Sequence, residues 1–110
     1  GGICFDTQHA FASGYDLRDP AAVKKTFDLF NKVIGIKYLC MMHANDSKTE
    51  FGSHVDRHQH IGEGKIGKSG FSAILGFLAK KKLDIPLILE TEHDKVEKDI
   101  ALLKTLRAKV

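Results

Sequence analysis

Three short apolar runs alternate with longer polar stretches along the chain. They cover residues 1–6 (GGICFD), 36–43 (IKYLCMMH) and 85–92 (IPLILETE). Each run is too short and too continuously apolar for an amphipathic helix, and this pattern is typical of strands that are buried on both faces. The pattern therefore predicts three buried strands.

A helical pattern follows each predicted strand. The first helix begins at Asp19-Pro20, a capping residue followed by proline at the first helical position, and ends at Gly35. The second covers 69–82, and the third begins at Asp94, with Glu97 three residues later in a capping-box arrangement. Apolar residues with helical spacing are predicted to face inward: Val23, Phe27, Phe30 and Ile34, then Phe71, Ile74, Leu75 and Leu78, then Val96, Ile100, Leu103 and Leu106.

The resulting β-α-β-α-β-α order predicts parallel strands joined by right-handed crossovers. Three parallel strands alone leave two sheet edges unpaired, and a doubly wound sheet or a barrel would supply the missing neighbours. The first residues resemble the interior of a strand and carry no targeting signal. We therefore predict an α/β fold in which residues 1–110 are the C-terminal portion of a single (β/α)8 TIM-barrel domain. The three βα units would correspond to about strands 6–8, with the N-terminal part missing.

Composition narrows the class of protein further. The chain has 110 residues, of which 43% are hydrophobic and 28% charged, which is typical of a soluble globular protein. No apolar run approaches the roughly 18 residues of a membrane span, so we predict no membrane partner. The net charge of +3 permits a polyanionic partner without establishing one. Cys4 and Cys40 lie inside apolar runs and are predicted to be buried free thiols in preference to a disulfide, which indicates a cytoplasmic or nuclear protein that is not secreted.

Each predicted strand ends near a side chain that can bind a metal: Asp6, His43 and Glu90. In a barrel the C-terminal ends of all strands meet at one face, where active sites lie. Carboxylate and imidazole together form a ligand set for zinc, manganese or iron. The alternatives are that a strand-terminal aspartate caps a helix, and that the histidines belong to a solvated polar rim.

The connecting loops contain a second group of candidate ligands. His9 lies three residues after Asp6, and residues 43–60 hold four of the six histidines. Asp56 and His58 are two residues apart, which places both side chains on one side of an extended backbone, with Arg57 facing ligand or solvent. The other histidines are predicted to be surface residues: His54, His60 and His93. The glycine-rich stretch GEGKIG (62–67) lacks the spacing of a nucleotide-binding fingerprint and is predicted to form a turn.

Three segments in this order resemble successive signature regions of endonuclease IV, the zinc-dependent apurinic/apyrimidinic endonucleases (AP endonuclease family 2). They are GICFDTQHAFASGYDLRD (2–19), MHANDSKTEFGSHVDRH (42–58) and PLILETE (86–92). The resemblance covers essentially the whole chain, and HANDSK followed by GSxxDRH is its most specific part. It implies a barrel that holds three zinc ions and an activity of the deoxyribonuclease IV (phage T4-induced) type. Such an enzyme hydrolyses the DNA backbone on the 5′ side of an abasic site.

The resemblance also implies roles for individual residues. His9, Asp56 and His58 match the ligands of one zinc ion. Asp6, His43 and Glu90 match ligands of a second ion of the catalytic zinc cluster, whose bridging glutamate is not matched in these residues; manganese is an alternative metal. The segments 10–16 and 47–55 match loops that meet DNA. Lys48 and Arg57 are candidate phosphate contacts there.

The implied partner is double-stranded DNA containing abasic sites, bound by a protein that is monomeric when full length. The isolated 110 residues are expected to be inactive, because they lack the bridging glutamate and one zinc site. Phe5 and Gln8 depart from the family pattern; Phe5 is expected to pack harmlessly and Gln8 to narrow the site. Two alternatives remain open: a metal-dependent sugar isomerase or epimerase, and a non-catalytic metal- or DNA-binding remnant.

Overall fold

The computed structural model describes residues 2–90 and 96–110. Its first half contains β1 (Ile3–Asp6), α1 (Thr7–Ala12), α2 (Pro20–Val33), a 3-10 turn (Ile36–Tyr38) and β2 (Leu39–His43). Its second half contains β3 (Asp46–Ser47), β4 (His58–Gln59), α3 (Gly67–Lys80), β5 (Leu87–Ile88) and α4 (Val96–Ala108). The predicted order of strands and helices is thus confirmed over the described residues, while α1, β3 and β4 were not predicted.

The three predicted strands form one parallel sheet in the order β1-β2-β5. Asp6 pairs with His43 across β1 and β2, and His43 pairs with Ile88 across β2 and β5. This register aligns the C-terminal ends of the strands. A separate two-stranded antiparallel ladder joins β3 to β4, pairing Ser47 with His58. The register therefore brings residues far apart in the sequence to one end of the fold.

The helices begin and end close to where the sequence predicts. The Asp19 carboxylate accepts the N–H of Ala22 at 2.8 Å and caps α2, whose first residue is Pro20. The helix stops before Gly35, which adopts a φ of 111°. The predicted start of the third helix at Asp94, and His93 before it, lie outside the described residues.

The core lies between the sheet and the helices, and α3 packs against both α2 and α4. The ring of Phe27 lies 4.9 Å from that of Phe5 and 4.8 Å from that of Phe77, measured between centroids, which joins β1, α2 and α3. Phe5 is thus a packing residue, as expected. The buried hydrophobic residues of the core include all four that were predicted for the second helix, Phe71, Ile74, Leu75 and Leu78, together with Phe11, Leu17, Val23, Phe27 and Met42.

Three predictions of burial are wrong. Ile34 is exposed because it lies beyond the last residue of α2. Ile100 is exposed because α4 turns Asp99 and Leu103 inward instead. Cys4 and Cys40 are free thiols, as predicted, but both are exposed, since the described helices do not enclose both faces of the sheet. In the described parts of the chain, every helix is too short or too polar to cross a lipid bilayer.

Candidate metal centre

The ends of the parallel strands bring three of the candidate ligands together. Asp6 ends β1, His43 ends β2, and Glu90 lies two residues beyond β5. The Nδ1 atom of His43 is 2.6 Å from Glu90 Oε1 and 4.0 Å from Asp6 Oδ2. Parallel register is the cause, because Asp6 and His43 are paired residues of neighbouring strands. The convergence expected from the strand order is therefore present in the fold.

His58 joins these three side chains from the antiparallel ladder. One ligand atom each of Asp6, His58 and Glu90 lie within 4.8 Å of one another. Asp56 lies next to His58, with its Oδ1 atom 3.1 Å from His58 Nε2, so the two residues share one side of the chain. We call Asp6, His43, His58 and Glu90 the strand-end cluster. Its side chains are 25–40% exposed, which leaves them accessible to an ion from solution.

The donors of the strand-end cluster suit a divalent metal. Zinc binds nitrogen and oxygen ligands at about 2.0–2.2 Å, so two ligand atoms of one ion lie up to about 4 Å apart. The ligand atoms of Asp6, His58 and Glu90 lie within 4.8 Å of one another, a distance slightly greater than this limit. Two carboxylates and two imidazoles also match the oxygen and nitrogen donors that zinc and manganese accept. The donor types present therefore fit such an ion.

His9 lies outside the strand-end cluster. It is an exposed residue of α1, and its backbone N–H donates to Asp6 Oδ1 at 3.0 Å. Asp6 thus caps α1 with one carboxylate oxygen while the other faces His43. Asp6 therefore caps a helix, as in the alternative prediction, and also belongs to the cluster. The grouping of His9 with Asp56 and His58 stays a prediction.

The two candidate phosphate contacts lie beside the cluster. The backbone N–H of Lys48 donates to the carbonyl of Arg57 at 3.0 Å, which continues the pairing of Ser47 with His58. Both side chains are exposed, and the Arg57 guanidinium donates to the carbonyl of Asp56. Two exposed cationic residues thus form the backbone pair next to Ser47 and His58 in the ladder.

Asn45 is a residue of the site that sequence reasoning missed. Its side-chain amide donates to Glu90 Oε1 at 3.2 Å, and its side-chain oxygen accepts the Glu90 N–H at 3.0 Å. The Thr7 hydroxyl is bonded to both the N–H and the carbonyl of Asn45. No local sequence signal announces these contacts, because they join residues 38 and 45 positions apart.

The carboxylate of Asp46 holds the glycine-rich stretch 62–67 in place. Its fully buried carboxylate accepts five backbone N–H groups, those of Ser47, Gly62, Gly64, Ile66 and Gly67. Burial raises the pKa of Asp46, and these N–H donors act against that shift. The stretch forms turns, as predicted, and its amides are directed at a carboxylate of the same chain.

His60 was predicted to be a surface residue, and that prediction is wrong. The residue is 8% exposed, and its Nδ1 atom lies 2.8 Å from Asp99 Oδ2. The other Asp99 oxygen accepts the N–H of Ile61 at 3.1 Å. This contact fixes the loop after β4 to α4, and no sequence pattern indicates it, because Asp99 falls among apolar helix positions. His54 is exposed, as predicted.

Gln8 was expected to narrow the metal site. Its side chain is fully buried, and its amide donates to Ser47 Oγ at 3.2 Å and to the carbonyl of Val55 at 3.1 Å. Within the described ranges, its Oε1 is a buried oxygen without a hydrogen-bond partner. The Gln8 side chain therefore ties α1 to the segment 47–55.

Parallel strands that direct acids and imidazoles to their C-terminal ends are typical of the TIM-barrel class. The chain belongs to the family of xylose isomerase-like TIM barrels, whose model matches residues 2–107. It is 54% identical over 93 residues to the probable endonuclease 4 of Nitrosopumilus maritimus (strain SCM1), a match that covers 84% of this chain and 33% of that protein.

Two crystal structures resemble the fold. Endonuclease IV from Thermus thermophilus matches 97% of this chain and 38% of its own, with a TM-score of 0.77 and 34% identity. AsfvAP:AG matches 97% of this chain and 40% of its own, with a TM-score of 0.70 and 25% identity. The chain thus spans about a third of the length of the probable endonuclease 4. The resemblance to endonuclease IV and the prediction of a partial TIM barrel are confirmed.

Proposed function

We propose that the chain is the metal-binding part of a DNA repair endonuclease that hydrolyses the phosphodiester bond 5′ to an abasic site with a zinc cluster. One observation carries the proposal: ligand atoms of Asp6, His58 and Glu90 lie within 4.8 Å of one another at the C-terminal ends of parallel strands. The 54% identity to a probable endonuclease 4 supports this reaction over others that use the same barrel.

The proposal gives each candidate ligand a role. Asp6, His43 and Glu90 hold one zinc ion. His58 belongs with His9 and Asp56 as ligands of a second, adjacent ion, which agrees with a His58 ligand atom within 4.8 Å of those of Asp6 and Glu90. Manganese is the alternative metal. A bound divalent ion supplies a nucleophilic water at neutral pH and offsets the charge that develops on the phosphodiester.

The DNA would lie across the open end of the sheet. Lys48 and Arg57 flank the ladder that carries His58, and their exposed charges are available to neighbouring phosphates. The partner is double-stranded DNA with abasic sites, bound by a monomer in the cytoplasm, or in the nucleus of a eukaryotic cell. We expect the Lys48→Ala and Arg57→Ala proteins to bind DNA less tightly whatever its sequence, with a weaker dependence of affinity on salt.

The metal part of the proposal is tested by counting bound zinc. A protein with His9→Ala, Asp56→Ala and His58→Ala together should lose one equivalent of zinc, measured by elemental analysis after dialysis. The matched control is His54→Ala, which removes an exposed imidazole of the same segment and should leave the count unchanged. An unchanged count in the triple variant would show that these residues do not hold an ion.

The reaction is tested on a duplex with one abasic site. The native protein that contains these residues should nick the duplex on the 5′ side of that site in a zinc-dependent reaction. The isolated residues 1–110 should give little or no product, because the bridging glutamate of the family is not matched in them. Robust cleavage by residues 1–110 would refute the second expectation. Zinc binding by the native protein without cleavage would favour a non-catalytic remnant.

A second candidate function is the isomerisation or epimerisation of a sugar. The description of the matching family as xylose isomerase-like favours it, since a carboxylate and imidazole set can serve either reaction. Turnover of a ketose by a protein that leaves abasic DNA intact would replace the nuclease proposal with this one.

A further inference from the structure

Three consecutive buried residues, Asn45, Asp46 and Ser47, lie behind the strand-end cluster. All three are fully buried, although each has a polar side chain. Buried polar groups lower stability unless they are hydrogen-bonded, so their partners show what they hold in place. We call residues 45–47 the buried segment.

The first residue of the buried segment fixes two cluster members. Asn45 exchanges two hydrogen bonds with Glu90, one to the carboxylate and one from the backbone N–H. Thr7, the residue after Asp6, bonds to both backbone groups of Asn45, at 2.9 and 2.6 Å. The carboxylate of Glu90 and the chain at Asp6 are therefore tied to the same residue.

The other two residues fix the chain at His58 and after it. Ser47 pairs with His58 in the ladder, and Asp46 pairs with Gln59. The Asp46 carboxylate holds the loop that follows through the N–H groups of Gly62, Gly64, Ile66 and Gly67. The fit is tight, because a Cβ atom on Gly64 would lie 2.5 Å from the carbonyl oxygen of Ser47. His43 itself stands only two residues before this segment.

We propose that the buried segment sets the distances between the members of the strand-end cluster, and that Asp46 is its principal positioning residue. The inference rests on the proposed function, in that the cluster is taken as the metal site. None of the three side chains needs to touch the ion. They act through the backbone of His58 and the side chain of Glu90, as groups behind a metal site do when they orient its ligands.

The first test is the zinc affinity of an Asp46→Asn protein, measured by competition with a chromogenic chelator. The neutral amide keeps the shape of Asp46 but cannot accept five N–H groups, so the loop after His58 should shift. We expect zinc affinity to fall by about 10–100-fold. Asp28→Asn is the matched control, because it makes the same chemical change on the exposed side of α2 and should leave zinc affinity unchanged.

A second pair of variants changes Thr7, whose hydroxyl bonds to Asn45 of the buried segment, and is less disruptive to folding. Thr7→Val removes the hydroxyl at nearly constant volume, and Thr7→Ser keeps it. We expect zinc affinity to fall by roughly 10-fold in Thr7→Val and to be restored in Thr7→Ser. The absorption spectrum of bound cobalt should change in Thr7→Val alone, because it reports ligand geometry, which a uniform loss of stability does not alter. If Asp46→Asn fails to fold, this pair decides the inference.

The outcomes separate this inference from the proposed function. Folded Asp46→Asn and Thr7→Val proteins with unaltered zinc affinity and cobalt spectra would overturn the inference and leave the metal site standing. If Glu90→Gln and His43→Ala leave the zinc affinity of the native protein unchanged, the cluster is not the metal site and the proposed function fails first.

Discussion

Asp46 and Glu90 are carboxylates near the C-terminal ends of neighbouring strands, and they have opposite surroundings. Asp46 is fully buried and saturated by five backbone N–H groups. Glu90 is 40% exposed at its side chain and faces the imidazole of His43. A carboxylate whose acceptor sites are all filled by its own chain has no capacity left for a ligand. The difference therefore separates an acid that organises the fold from one that is available to a metal.

The variant expected to have the largest effect is Asp46→Asn, which tests whether Asp46 organises the fold. The amide offers one oxygen to five donors and turns its own NH2 toward them, so buried N–H groups lose their acceptors. We expect a loss of about 3 kcal/mol in the free energy of unfolding, measured by urea titration at pH 7. The Asp28→Asn control should stay within about 0.5 kcal/mol of the parent. Equal stabilities of the two variants would show that the five contacts carry no net energy.

Glu90→Gln tests the other side of the comparison. Its side-chain oxygen can still accept from Asn45, so the free energy of unfolding of the metal-free protein should change by less than about 0.5 kcal/mol. Zinc affinity should fall by at least about 100-fold, because the loss of a direct ligand is at least as severe as the loss of an outer contact. A calorimetric zinc titration gives the affinity. A large stability loss with zinc affinity intact would reverse the roles of the two acids.

Asp99 is a third carboxylate that can be compared with these two. It is buried like Asp46, and its partners include the N–H of Ile61 and the ring of His60. Asp99→Asn keeps an oxygen for Ile61 and loses the charge, so we expect a loss of about 1.5 kcal/mol in the free energy of unfolding. Asp84→Asn is the exposed control and should leave that free energy unchanged. A larger loss than in Asp46→Asn would show that Asp99, and not Asp46, is the carboxylate that stabilises the fold more.

The ion pair of Asp16 with Arg18 should contribute least to the free energy of unfolding, because Arg18 is exposed. The hydrogen bond from the Arg18 guanidinium lowers the pKa of Asp16 below its ordinary value of 3.8. A carboxyl with a lowered pKa in the folded state adds stability above 3.8, and that stability is lost as the pH falls through the lowered value. Arg18→Met, which can still cover the rings of Phe11 and Phe51, should lower the free energy of unfolding by about 0.5 kcal/mol at pH 7.

The pH dependence gives this last prediction its control. The difference between Arg18→Met and the parent should shrink toward zero in urea titrations carried out well below pH 3.8. A difference that persists at low pH would assign the effect to ring contacts and not to the ion pair.

The sequence predicted those parts of the site that follow from strand order. Asp6 and His43 meet because parallel strands align their C-terminal ends, and the Asp19-Pro20 start of α2 follows from local capping chemistry. These signals are local or topological, and they survive in a single sequence. The inward face of α3 was predicted for the same reason.

The buried segment could not be predicted, because its contacts reach across the chain. Apart from the adjacent Ser47, the side-chain partners of Asn45 and Asp46 lie 16 to 45 positions away, and nothing in the sequence marks which polar residue of HANDSK is buried. The errors at Ile100 and His60 concern one contact: Asp99 faces the core, where it meets His60, while the neighbouring Ile100 is exposed.

The contacts with Asp46 should slow the hydrogen exchange of the backbone amides in residues 62–67. A loop of this composition, with glycines at 62, 64 and 67, would ordinarily exchange its amide hydrogens with solvent almost as fast as an unfolded peptide. Here the N–H groups of Gly62, Gly64, Ile66 and Gly67 end on one buried carboxylate. They should therefore exchange together, on the slow timescale of the surrounding helices, and a single opening event at Asp46 should release all four.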